Sequence, residues 1–298
     1  MKFAAAAVMT FAALGLVGQA SAEDFTGTLK KIKDTGVISM GIRESSIPFS
    51  YYDENQHTVG YSQDIALRIV DAIKKAVGRS DLQLRMMPIT SQNRIPLVQN
   101  GTIDFECGST ANTMARQKQV AFSDSIFIYG IRMVTKANSG IRDYPDLAGK
   151  TVVSTAGTTD ELMLRKMNAE KKLGMTVVSA QDHVQAFQSV ADGRAAAFVM
   201  DDPILYGERA KAKNPNEFVV VGTPPGLETY GCMLRKDDPE FKKVMDDTIA
   251  QMQRSGEAEK LYDKWFNSPI PPKGINLKYP LSNEMRALFQ NPNDKALD

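Results

Sequence analysis

Histidine, cysteine and tryptophan are almost missing from this chain of 298 residues, which has two, two and one of them. With so few histidines and cysteines, triad chemistry has little to draw on, and no Cys/His group has metal-ligand spacing. The motifs GxSxG, HExxH, GxGxxG and the P-loop are absent too, which removes the usual nucleophile elbow, zinc helix and nucleotide cradles. No cofactor and no metal are therefore expected. Neither charge dominates, with 36 Lys and Arg against 35 Asp and Glu. That balance argues against a nucleic-acid partner, since phosphate binding requires a basic surface. Internal repeats and low-complexity stretches are lacking. Beyond residue 22 no apolar run is long enough to cross a bilayer.

What is present begins with an export signal. Lys2 is the one charge in residues 1–22, residues 3–17 are almost wholly apolar, and Ala20-Ser21-Ala22 supplies the small-x-small cleavage pattern. The expected cut follows Ala22, and the product is expected to be soluble and outside the cytoplasm. The 276 remaining residues (298 less 22) are enough for two packed α/β lobes. Cys107 and Cys232 make an even pair in an oxidising compartment, which favours one disulfide over two buried thiols.

Hydrophobic periodicity gives two successive α/β blocks. In the first, residues 37–43 and 82–88 read as strands and 64–77 as a helix with Ile65, Ile69 and Ile73 on one face. Residues 95–99 read as a short helix ended by Asn100-Gly101, and 103–106 as a short strand. In the second block 151–154, 177–178, 196–200 and 217–221 read as strands. Thr158 and Glu161 have capping-box spacing for a helix to about Lys171, and Asp182 caps another. The chain returns through 230–235 to amphipathic helices at 239–254 and 257–266, and after Pro269 it reads as a partly extended tail. Alternation of strands and helices predicts mainly parallel sheets with ligands at the carboxyl ends of strands.

Arginines and small hydroxyl residues gather at those strand ends. Arg43 follows the first strand, Ser91 and Arg94 follow the second, and Ser109 and Arg116 follow the third. Most arginines are simply solvated or paired, here with Glu44 or Asp104 as candidates. Three at successive strand ends suit an anion instead, because a guanidinium meets a carboxylate with two hydrogen bonds and stays charged when partly buried. Asp201, ending an apolar strand, would complement an ammonium group. Arg116 and Asp201 would thus grip the two ends of a free amino acid, and Arg43 and Arg94 its acidic side chain. Thr159 opens a helix whose free N–H groups also favour an anion. His183 lies in the first turn of its helix and is a candidate donor, whereas His57 in a polar turn reads as exposed. Glu106 and Asp201 could serve an enzyme as acid and base, but nothing in their spacing demands it.

The chain resembles the periplasmic solute-binding proteins of ABC amino-acid transporters, and within them the glutamate/aspartate-binding proteins. The stretches that carry the resemblance are Arg43-Glu44-Ser45-Ser46-Ile47-Pro48-Phe49-Ser50-Tyr51, Ser91-Gln92-Asn93-Arg94-Ile95-Pro96-Leu97, Asp104-Phe105-Glu106-Cys107-Gly108-Ser109 and the run from Cys232 to Phe266. It implies an α/β, type II periplasmic-binding-protein fold: two lobes joined by two crossing strands near 128–135 and 228–235. Lobe 1 would comprise 23–131 and 229–298, and lobe 2 would comprise 132–228. The resemblance gives Arg116 and Thr159 to the α-carboxylate and Asp201 and Ser109 to the α-ammonium. Arg43, Ser91, Arg94 and His183 would hold the side-chain carboxylate, and Cys107 and Cys232 match the family's disulfide. Ala111 stands where the family usually has threonine, a hydroxyl that Thr110 or water would have to replace. The partners implied are L-glutamate or L-aspartate and a membrane permease, for a monomeric protein. Alternatives on the same fold are a periplasmic dehydratase of the cyclohexadienyl type, a binder of a neutral amino acid such as glutamine, and a signalling receptor.

Overall fold

The computed structural model describes residues 25–297, so the export signal and its cleavage site lie outside the described residues. One long strand organises the rest. Ala121–Lys136 runs for 16 residues, roughly 50 Å at about 3.3 Å per residue. Its first part pairs antiparallel with Leu227–Leu234, from Leu234 against Ala121 to Leu227 against Gly130. Its second part pairs antiparallel with Ala197–Asp201, where Asp201 faces Ile131, and with Phe218–Val221. The partner exchange at Gly130 and Ile131 divides the molecule.

On one side of the exchange, Val37–Ile42 pairs in parallel with Gln83–Pro88 and Phe105–Glu106, and the last of these pairs antiparallel with Leu227–Leu234. On the other, Thr151–Thr155 lies parallel between Ala197–Asp201 and Thr176–Ala180. The result is an α/β fold with a mixed sheet: strands Ala121–Lys136 and Leu227–Leu234 pair antiparallel, where strand–helix alternation predicts mainly parallel sheets. Parallel strands require crossovers, and helices Tyr61–Ala76, Thr159–Lys171 and His183–Ala191 supply them. Tyr61–Ala76 buries Ile65, Ile69 and Ile73 as its period predicts.

Thr158 caps its helix by accepting from the Glu161 amide at 3.1 Å. The reciprocal half of the predicted capping box differs, because the Glu161 carboxylate accepts from the Gly157 amide, one residue earlier. Helices Pro239–Arg254 and Glu257–Phe266 form where predicted. They bring Tyr262 and Phe266 onto Phe127 of the long strand, with ring centroids 5.8 and 5.0 Å apart.

The expected tail is more structured than its composition suggested. Ser282 accepts from the Met285 amide and starts helix Asn283–Gln290, which buries Met285, Leu288 and Phe289. Three apolar residues at helical spacing anchor it despite the polar surroundings. Cys107 and Cys232 form a disulfide across 125 residues of sequence.

Candidate functional site

Each predicted residue is held by local structure that the sequence builds around it. Arg43 follows Val37–Ile42, where the Ser50 hydroxyl accepts from the Arg43 amide at 3.0 Å and donates to the Arg43 carbonyl at 3.1 Å. Ser91 and Arg94 are set by a turn in which Thr90 and Asn93 exchange side-chain and amide hydrogen bonds. Arg116 lies in the short helix Met114–Gln117, whose cap Thr113 accepts from the Arg116 amide. His183 opens the helix capped by Asp182. Asp201 sits at the cap position of helix Asp202–Lys211 but makes no cap bond. Its Oδ2 instead accepts from the Tyr230 hydroxyl, so a stabilisation of about 1 kcal/mol is forgone to aim the carboxyl inward.

These side chains converge and are buried. Arg43, Ser91, Arg94, Ser109, His183 and Asp201 are all at most 4 % exposed, and each has a polar atom without a protein partner. The atoms are Arg43 Nη1, Ser91 Oγ, Arg94 Nε, Ser109 Oγ, His183 Nε2 and Asp201 Oδ1. Buried polar atoms are nearly always satisfied, so such a concentration marks a place for a polar ligand. Arg116 and Thr159 differ because both already have partners. Arg116 donates to the carbonyls of Ala111 at 3.0 Å and Gly157 at 3.2 Å, and the Thr159 hydroxyl donates to Glu228 at 2.9 Å.

The electrostatics follow from burial. Desolvation lowers the Arg43 guanidinium from its usual value, with Glu106 the main opposing influence. Arg94 is lowered to about 9 by burial and then by Arg116 and Arg43, while Glu106 supports its charge. Burial and then Arg43, Arg94 and Lys211 push His183 well below the usual imidazole value, so the ring is neutral. Its Nδ1 lies 2.8 Å from the Thr155 hydroxyl. With Thr155 as donor, Nε2 carries the proton and can donate to an anion. Asp201 is raised by burial and by neighbouring Asp160 and Glu228.

Sequence reading missed part of this site. The Thr110 hydroxyl donates to Glu106 and accepts from Arg94 at 2.5 Å, linking a buried carboxylate to a buried guanidinium. Thr110 is therefore committed and does not replace the hydroxyl lacking at Ala111, whose carbonyl serves Arg116. Tyr129, Asp160, Glu228 and Tyr230 also surround Asp201. They come from three separate elements, so no local pattern could have grouped them. Asp104 pairs with Lys31, not with a site arginine. His57 is exposed as expected and lies 3.5 Å from Asp53.

A buried cluster of guanidiniums, hydroxyls, a neutral imidazole and carboxyls at strand ends suits a small zwitterion with additional negative charge. Comparison with known families bears on this directly. Residues 38–268 match the bacterial extracellular solute-binding proteins, family 3. The chain belongs to that family. It is 60 % identical over 285 residues to the "Glutamate/aspartate import solute-binding protein" of Salmonella typhimurium, covering 94 % of each chain. It is 54 % identical to the "L-glutamate/L-aspartate-binding protein" of Pseudomonas aeruginosa, covering 93 % of this chain and 92 % of that one. Among solved structures it resembles an ancestral amino acid-binding protein described as a precursor of cyclohexadienyl dehydratase. That likeness has a TM-score of 0.68 and 29 % identity, and covers 80 % of this chain and 99 % of the other.

Proposed function

We propose that this protein captures L-glutamate or L-aspartate outside the cytoplasm and hands it to the membrane permease of an ABC importer. One observation carries the reading: Arg43 and Arg94 are buried with guanidinium nitrogens that have no protein partner. Arginine offers no acceptor, so only an acceptor-bearing ligand or water can satisfy those atoms. The names of the relatives more than half identical to this chain agree with an acidic amino acid.

In this reading Arg43, Ser91, Arg94 and His183 meet the side-chain carboxylate, and Asp201 and Ser109 meet the ammonium. Arg116 meets the α-carboxylate, aided by Thr159 and the amides that open helix Thr159–Lys171. The lobes divide as 23–131 with 229–298 and as 132–228, with the break where the long strand exchanges partners. Closure is favoured because only the closed form brings Arg43 and Arg94 of one lobe against His183 and Asp201 of the other. Residues 1–22 direct export to the periplasm and are removed after Ala22.

Arg94→Ala is expected to weaken glutamate binding by roughly 2–5 kcal/mol, because a ligand carboxylate is left unpaired. Glutamine, which lacks that charge, should lose far less. Calorimetric titration of both ligands tests this, and equal losses would refute the side-chain assignment.

No catalytic role is assigned. A dehydratase reading gains interest from the resemblance to a dehydratase precursor. Long incubation with glutamate followed by mass spectrometry separates the readings, since a carrier returns its ligand unchanged.

A further inference from the structure

We propose that Glu228 is a positioning residue for ligand capture: its carboxylate fastens the opening of helix Thr159–Lys171 to the crossing strands, so that the helix amides meet the ligand's α-carboxylate. The inference rests on the functional reading above and deepens it.

Glu228 stands where the chain passes between the lobes. It lies on strand Leu227–Leu234 directly opposite Tyr129 of strand Ala121–Lys136, beside the exchange of partners at Gly130 and Ile131. Opposed residues of paired strands have neighbouring side chains. Here the Tyr129 hydroxyl donates to Glu228 Oε2 at 2.7 Å. The same oxygen accepts from the Thr159 hydroxyl at 2.9 Å. One carboxylate oxygen thus joins Tyr129, which the proposed division puts in one lobe, to the first residue of a helix in the other.

The neighbouring contacts are close as well. A Cβ on Gly130 would stand 2.7 Å from Pro224 Cγ, so the segment before Leu227 packs directly on the crossing backbone. The Gly130 amide donates to Asp202 Oδ1 at 3.3 Å, tying the start of helix Asp202–Lys211 to the same point. Tyr129 packs on Tyr230 with ring centroids 4.2 Å apart, and Tyr230 donates to Asp201. Two helices that open at the site are therefore both hydrogen-bonded to the crossing strands.

The bond to Glu228 decides what Thr159 can offer a ligand. A hydroxyl has one proton to donate, and here it goes to the Glu228 carboxylate. As the first residue of its helix, Thr159 also has a main-chain N–H with no partner inside the helix. That N–H and the positive pole of the helix are what face an anion. Arg116 reaches the same segment, donating to the Gly157 carbonyl at 3.2 Å. With Glu228 in place the helix opening is held before the ligand arrives. Without it, ordering that segment would cost free energy at the moment of binding.

The test is a double-mutant cycle on the full protein, titrated calorimetrically with L-glutamate: Glu228→Ala, Thr159→Ala and the two together. Each single substitution should weaken binding about tenfold, the size of one hydrogen bond to a charged group. The double variant should bind no worse than the weaker single, because both changes remove the same link. Glu228→Gln, whose amide oxygen still accepts from both hydroxyls, should recover most of the affinity lost in Glu228→Ala. A general packing role for Glu228 would instead lower the ligand-free melting temperature and add its loss to that of Thr159→Ala. Additive losses, about a hundredfold in the double variant, or unchanged affinity in Glu228→Ala, would overturn the inference and leave the functional reading intact. Where Glu228→Ala does not fold, Tyr129→Phe takes its place in the cycle and the same outcomes decide. Failure of the wild type to bind glutamate would overturn both.

Discussion

Glu106 shows how a single residue changes the meaning of its neighbours. The sequence presents it as a possible catalytic acid, but in the fold it is fully buried, accepts from Thr110 and supports the charges of Arg43 and Arg94. It is the resident counter-charge of a site otherwise crowded with cations. Removing one member of a buried ionic group leaves uncompensated charge. Glu106→Gln is therefore expected to lower stability by roughly 3–5 kcal/mol, read from the midpoint of urea unfolding. Saturating glutamate should recover part of that loss, since it brings net negative charge and binds only the folded state. An unchanged midpoint would show that Glu106 does not balance the arginines. At this scale the sequence identified the residue types well, because guanidinium and carboxyl chemistry needs no tertiary context to be recognised. It could not show which carboxyl serves the ligand and which serves the protein.

At the scale of elements, many strands and helices were legible because their hydrophobic period is local, but strand Ala121–Lys136 and helix Asp202–Lys211 were not read from the pattern. Pro239–Arg254 and Glu257–Phe266 fall where the pattern put them, and most strand limits differ by a residue or two. Helix Asn283–Gln290 was missed because eight residues in a polar stretch give too short a period. Closure depends on contacts that no period encodes. Gly207, inside helix Asp202–Lys211, would place a Cβ 2.6 Å from the carbonyl oxygen of Ile47, which the proposed division puts on the other lobe. Backbone cannot yield as a flexible side chain does. Alanine is also the better helix former by about 1 kcal/mol. Gly207→Ala should thus leave the ligand-free protein at least as stable while weakening glutamate binding about tenfold or more by opposing lobe approach. Thermal melting together with titration distinguishes the two effects, and unaltered affinity would show that the helix has room.

Across the whole molecule, the disulfide ties the strand end carrying Glu106 and Cys107 to the return strand Leu227–Leu234. It encloses the second block of the sequence in a loop of 125 residues. Constraining an unfolded chain over that distance stabilises typically by about 2–5 kcal/mol. Replacing both cysteines with alanine should lower the unfolding midpoint accordingly, and glutamate affinity should change little because a sulfur offers no charge to an acidic ligand. A large loss of affinity at full folding would instead give the bond a role in shaping the site.

The sequence alone determined most strands and several helices and singled out Arg43, Arg94, Arg116 and Asp201 as candidates for an acidic ligand, because periodicity and functional-group type are properties of short stretches. Tertiary structure decided which groups are already satisfied and which are not. Arg116 bonds to Gly157 across 41 residues and Tyr230 to Asp201 across 29. Asp160 and Asp201 are both buried because helix Thr159–Lys171 packs against strand Ala197–Asp201. Burial, which sets their charge, is a property of the assembled fold.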